Sequence, residues 1–162
     1  MKVFEDTAKS ALQHAFKLLG YRDRSEKEMR GKLAQKGFSE GVIGETLRLL
    51  KEKRFIDDGR LAEILKRDAV ERRHFGRRGA KGYLLKRGIP GDVADAVLGG
   101  ADEYLDAARE LVEKKLKTLK GYDREAVRRK LWGVLSRRGF SSDVIRQAMK
   151  SFWDKEEFDE NG

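Results

Sequence analysis

Three stretches of this chain follow one plan at a fixed interval. LAQKGFSEGVI (Leu33–Ile43), LLKRGIPGDVA (Leu84–Ala94) and LSRRGFSSDVI (Leu135–Ile145) begin fifty-one residues apart. A chain of 162 residues that repeats itself three times gives each copy little apolar surface to bury alone. Neighbouring copies therefore have to share interfaces, as repeat proteins do.

The plan itself is helical. Each copy first places apolar residues four apart, at Met29/Leu33, Ala80/Leu84 and Leu131/Leu135, on one helix face. Gly37, Gly88 and Gly139 stand where a left-handed residue closes that helix, and Lys36, Arg87 and Arg138 before them complement its dipole. Phe38, Ile89 and Phe140 are suited to plug the corner. Ser39, Pro90 and Ser141 then open a second helix carrying Val42/Ile43/Leu47, Val93/Ala94/Leu98 or Val144/Ile145/Met149. A longer helical segment precedes each pair, over Thr7–Leu19, Asp58–Arg73 and Asp102–Leu119. Asp57 and Asp58 fit an N-cap and a first-turn acid. A hydrophobic fraction of 39%, a charged fraction of 40% and a single Pro suit small helical units. The expected fold is all-α: three tandem three-helix (helix-turn-helix-like) repeats, 1–54, 55–100 and 101–158, forming an elongated curved array. The acidic stretch DKEEFDENG (Asp154–Gly162), ending in 159–162, reads as a frayed solubilising tail.

A second glycine set, Gly31, Gly82 and Gly133, recurs at the same interval inside the short helices. Gly there costs roughly 1 kcal/mol relative to Ala. A neighbouring helix approaching closely, a partner doing so, or inheritance after duplication would each account for it. The cations Lys81, Lys86 and Arg87 around Gly82 favour a partner there, whereas Trp132 beside Gly133 favours packing.

Reactive chemistry is poorly represented. With no Cys, disulfides and thiolate chemistry are excluded, and His14 and His74, the two histidines, lie far apart. FGRRGAKGYLLKRG (Phe75–Gly88) lacks the spacing and the preceding strand of a phosphate loop. Asp57/Asp58 has no third ligand or base to make it catalytic. The expectation is a protein without catalytic residues, metal or cofactor, and no apolar run is long enough to span a bilayer.

What remains is charge. The net charge is +9. The window from Arg72 to Gly91 holds no acidic residue but contains Arg72, Arg73, Arg77, Arg78, Lys81, Lys86 and Arg87. A second window, Ala126–Ser142, contains Arg128, Arg129, Lys130, Arg137 and Arg138 without an acid. Solvated helix faces would account for any one of these. Two windows at equivalent places in successive repeats favour a continuous basic stripe that meets a polyanion or an acidic partner. In the first repeat Gln35/Lys36 replaces the paired cations, so the stripe weakens there.

Several blocks together resemble the RecX family of recombinase regulators: RDRSEKEMRGKLAQKGF, LKEKRFIDDGRLAEILKRDA, GYLLKRGI and RKLWGVLSRRGF, in the family's order from about Ala8 to Phe152. GRRGAKG is an unusually Arg-rich entry to the second repeat. The resemblance implies a protein that binds the RecA–DNA filament and suppresses its ATP hydrolysis, strand exchange and coprotease activity. A monomer is expected, in the bacterial cytoplasm, whose reducing conditions the absence of Cys fits. It implies no active-site residues. Binding to DNA itself is expected to be weak and indifferent to sequence. Two rivals are a helix-turn-helix transcriptional regulator, against which the short helices lack an evident base-reading set, and a generic scaffold, which leaves the charge unexplained.

Overall fold

The computed structural model describes residues 4–159, and every regular element among them is helical. In chain order these are α1 (Ala8–Leu19), α2 (Glu26–Lys36), α3 (Glu40–Glu52), α4 (Asp58–Arg67), a π-helical turn (Asp68–Arg72), α5 (Arg77–Lys86) and α6 (Gly91–Leu98). A 3-10 turn (Ala101–Tyr104), α7 (Leu105–Leu116), α8 (Arg124–Arg137) and α9 (Ser142–Asp159) follow. They form two compact units, one of residues 4–64 with Leu84–Ala94, the other of Leu65–Tyr83 with residues 95–159.

In the first unit, α1, α2 and α3 pack on one another. Thr7 caps α1 by accepting the Ser10 N–H, and Ala11 and Ala15 leave room for the apolar faces of the other two. Met29, Leu33, Ile43, Leu47 and Leu50 are buried there with Phe38. A Leu-sized side chain taken fully out of water contributes about 1.5–3 kcal/mol, so this row holds the unit. A capping box starts α2: Ser25 Oγ accepts the Glu28 N–H at 3.1 Å, and Glu28 Oε1 accepts the Ser25 N–H at 3.1 Å. Asp57 Oδ1 caps α4 by accepting the Arg60 N–H at 3.0 Å. Asp58 does more than complement a dipole: its Oδ1 accepts the Glu26 N–H at 3.0 Å, tying the start of α4 to the start of α2. Burial raises the Asp58 carboxyl pKa, against the pull of that N–H.

In the second unit, α7, α8 and α9 pack together through Ala107, Ala108, Leu111, Leu131, Leu135 and Ile145. The Tyr104 hydroxyl donates to Leu98 O at 2.6 Å, and burial pushes its pKa up to about 12.

Gly37, Gly88 and Gly139 have φ of 105°, 81° and 84°, the left-handed closure expected at each helix end, and Phe38, Ile89 and Phe140 are buried behind them. Elsewhere the helices depart from expectation. The segment expected as one helix over Asp58–Arg73 is α-helical only to Arg67. It then widens, with the Arg73 N–H bonded to Asp68 O five residues back at 3.2 Å, while the Asp68 carboxylate holds Arg73 and Tyr83 around the turn. The third long segment starts as a 3-10 turn, and its α-helix stops at Leu116 rather than Leu119. Ser39 occupies the N-cap of α3 without a side-chain cap bond; its N–H donates instead to Asp6 Oδ1 at 3.0 Å. Helix α9 continues to Asp159, so the acidic stretch begins helical rather than frayed, while 160–162 lie outside the described residues.

The glycines sort in an unforeseen way. At Gly31 and Gly82 an added Cβ would have nothing within 4 Å. At Gly133 it would meet only the Arg137 guanidinium, 3.1 Å away, so packing beside Trp132 does not explain that glycine. Close approach occurs instead at Gly76 and Gly79. A Cβ at Gly76 would overlap the backbone of Gly139 and Phe140, and one at Gly79 the Arg138 carbonyl oxygen.

Candidate interaction surface

That glycine contact brings the two acid-free windows together within the second unit. The Gly76 N–H donates to Arg138 O at 2.9 Å and the Arg78 N–H to Gly139 O at 3.3 Å. The start of α5 thus lies against the end of α8, and Arg73, Arg78 and Arg138 gather at the seam. Arg138 Nη1 donates to Arg73 O, its guanidinium sits 5.7 Å from the Phe75 ring centroid, and Arg78 Nη2 donates to Ser136 O at 3.4 Å.

Not all twelve expected cations face outward unpaired. Asp68 takes Arg73 at 2.7 Å and, more loosely, the exposed Arg72 at 3.7 Å. Tyr83 donates its hydroxyl to the same carboxylate, and its ring lies 4.5 Å from the Arg73 guanidinium. The Arg73 hydrogen bond, aided by Tyr83, holds the Asp68 carboxyl below its ordinary range despite partial burial. Asp95 similarly collects Lys81 at 2.9 Å and Arg77 at 3.3 Å, and Arg77 also donates to Gly99 O at 2.7 Å. Lys81 first, then Arg77, lowers the Asp95 pKa. Arg77, expected in the basic stripe, is therefore tied into the fold. In the first unit, Arg87 bonds Glu28 at 3.3 Å and Asp23 O at 3.1 Å, while Lys86 is exposed with no acidic partner among the described residues.

The cations left over concentrate on α8. Arg128, Arg129 and Arg137 are exposed, and neither they nor Arg78 have an acidic partner among the described residues. Lys130 extends over the Tyr122 ring at 4.7 Å. A row of unneutralised guanidiniums on a rigid helix attracts phosphates or carboxylates without first breaking an ion pair. The sequence pointed to these residues through the missing acids. Asp68, just outside the first window, lies within helical reach of Arg72 and Arg73, but the sequence showed no sign that the distant Asp95 and Glu28 would absorb Arg77, Lys81 and Arg87.

No group of three His, Cys, Asp or Glu side chains suited to a metal occurs among the described residues. His14 is half-buried, its pKa lowered by burial and by Lys36 and Lys17. His74 is buried at φ 50°, with Nε2 3.2 Å from Glu110 Oε2. No helix among the described residues is long and apolar enough to cross a membrane.

Comparison with known proteins supplies the context. Residues 102–149 match the model of the RecX third three-helix domain, and residues 11–48 that of the RecX first three-helix domain. A regulatory protein RecX of Chlorobaculum tepidum is 33% identical over 90% of this chain and 90% of its own length. One from Prosthecochloris aestuarii is 38% identical over 89% of this chain and 93% of its own. The crystal structure of RecX from Lactobacillus salivarius superposes with a TM-score of 0.80 at 24% identity, covering 89% of this chain and 95% of that one.

Proposed function

This chain belongs to the RecX family of regulatory proteins, and from that premise we propose that it regulates homologous recombination and SOS repair by binding a RecA–DNA filament. On this reading it lowers the filament's ATP hydrolysis, strand exchange and coprotease activity. It acts by binding and not by catalysis, as a monomer in the bacterial cytoplasm, with the three repeats as its modules. The observation that carries the reading is the family membership across nearly the whole chain. The unpaired cations of α8 support it, because a filament offers nucleic-acid phosphates and acidic protein faces in register. Weak, sequence-indifferent contact with DNA follows from the same charge.

The test is titration of the purified protein into RecA–single-stranded DNA filaments while ATP hydrolysis is followed. Hydrolysis falls at substoichiometric ratios, since one bound molecule affects a polymer rather than one subunit. Unchanged hydrolysis and filament length at equimolar protein would refute the proposal.

A further inference from the structure

Both tryptophans of the chain, Trp132 and Trp153, line one groove on the second unit, formed where α8 meets α9. Its volume is about 280 Å³, and Arg128, Arg146, Lys150 and Asp154 are among the residues that line it. The two rings are not equivalent. Trp153 already has the Arg124 guanidinium 5.0 Å from its centroid and Phe152 edge-on at 5.9 Å. Trp132 is 37% exposed and has no ring or cation partner among the described residues. A large flat apolar surface left open beside cations is costly in water unless something covers it.

The charge around it selects the occupant. Arg146 is engaged by Asp143 at 2.8 Å, but Arg128 and Lys150 have no acidic partner among the described residues. On the adjoining face of α8, Arg129, Gly133 and Arg137 stand four residues apart, and at Gly133 only the mobile end of Arg137 would meet a side chain. A smooth cationic track therefore runs beside a partly exposed indole. A base offers a π-face and its backbone offers phosphates at either side, matching both features at once. An acidic peptide would satisfy the cations and leave the indole face without a planar partner.

We propose that the α8–α9 groove binds single-stranded nucleic acid, one base stacking on Trp132 with flanking phosphates on Arg128, Lys150 and the Arg129–Gly133–Arg137 row. This rests on the nucleic-acid part of the reading above and adds a place and a strand preference. Duplex ends aside, paired bases hide their faces, so a duplex offers this groove phosphates only.

Because the two tryptophans both line the groove, intrinsic fluorescence reports on it directly. Titrating the full chain with oligothymidylate should quench it, and an abasic oligomer of equal length should bind at least about fivefold more weakly, the loss of one stacked base. By anisotropy of a labelled oligothymidylate, Trp132→Leu should bind about fivefold or more weakly and Trp132→Phe should keep most of the affinity. Equal affinity for the abasic oligomer, which needs no variant, overturns the stacking proposal while leaving filament regulation standing. So does an unchanged affinity in a folded Trp132→Leu protein, or quenching by polyglutamate but not by oligothymidylate.

Discussion

Gly79→Ala and Gly82→Ala make the same chemical change three residues apart in α5, with opposite expected results. Each removes the same freedom from the unfolded chain, so that contribution cancels in the comparison. At Gly82 the added methyl meets nothing within 4 Å, and helix propensity alone acts, stabilising by about 1 kcal/mol. At Gly79 the methyl would overlap the Arg138 carbonyl, with Phe75 Cβ 3.3 Å away on its other side. Backbone cannot rotate aside as a side chain does, so α5 and the end of α8 must separate. Overpacking of this kind costs about 1–3 kcal/mol. The two seam hydrogen bonds, Gly76 N–H to Arg138 O and Arg78 N–H to Gly139 O, contribute about 0.5–1.5 kcal/mol each and are strained or lost. After the propensity gain, the net cost at Gly79 is about 1–5 kcal/mol. At about 2–4 °C per kcal/mol, Gly79→Ala should melt about 2–20 °C below the parent and Gly82→Ala about 2–4 °C above it. Thermal unfolding followed by tryptophan fluorescence is the assay, since Trp132 and Trp153 both lie in the second unit. Equal melting of the two variants, or a lower value for Gly82→Ala, would refute the argument.

The Asp68 carboxyl titrates below its ordinary value of 3.8 in the folded protein because Arg73 holds it charged. Its contribution to stability is thus present above that value and is lost as pH falls through the depressed folded value. Asp68→Asn should therefore lower the melting temperature at pH 7, and the gap from the parent should narrow in urea or thermal unfolding below about pH 4. Reversing Arg128, Arg129 and Arg137 together to Glu should abolish binding to RecA–single-stranded DNA filaments at near-physiological salt with melting nearly unchanged, because surface substitutions usually shift stability by less than about 0.5 kcal/mol each. Full inhibition by that variant would assign these cations to solvation alone. Arg77→Glu, by contrast, should lower melting, since it sets a carboxylate against Asp95. Affinity for unrelated oligonucleotides should be alike at any one salt concentration and fall steeply as salt rises; a strong preference for one short duplex would favour the transcriptional-regulator rival.

Helix ends and core faces were legible because their determinants are local. The four-residue spacing of Leu131 and Leu135, or a glycine ahead of Phe140, acts within one turn of backbone. The identity of the contact glycines was not, because nothing in GRRGAKG distinguishes Gly76 and Gly79 from Gly82 until Arg138 and Gly139 arrive from some sixty residues away. The same holds for charge. A window empty of acids in sequence does not stay empty in space, and Asp95, fourteen residues past Lys81, neutralises what the pattern left open. Packing was expected at Gly133 because of Trp132 beside it, yet Trp132 is left 37% exposed, since Leu131 and Leu135 already occupy the buried face of α8.

The Ser25–Glu28 capping box has a consequence for the order in which a ribosome delivers the chain. Every member of the buried row from Ala11 to Ile56 has been synthesised before residue 64, so this nucleus can condense early on the nascent chain. Its α2 start is completed much later. Arg87 must emerge to engage Glu28 at 3.3 Å, and Gly88, whose missing Cβ leaves space for Ser25 Oγ, must follow it. A translation product halted near residue 64 would hold its three-helix core yet expose the head of α2 to water, with Glu28 answered only by Arg22. Release of about thirty more residues would then latch a nucleus already formed.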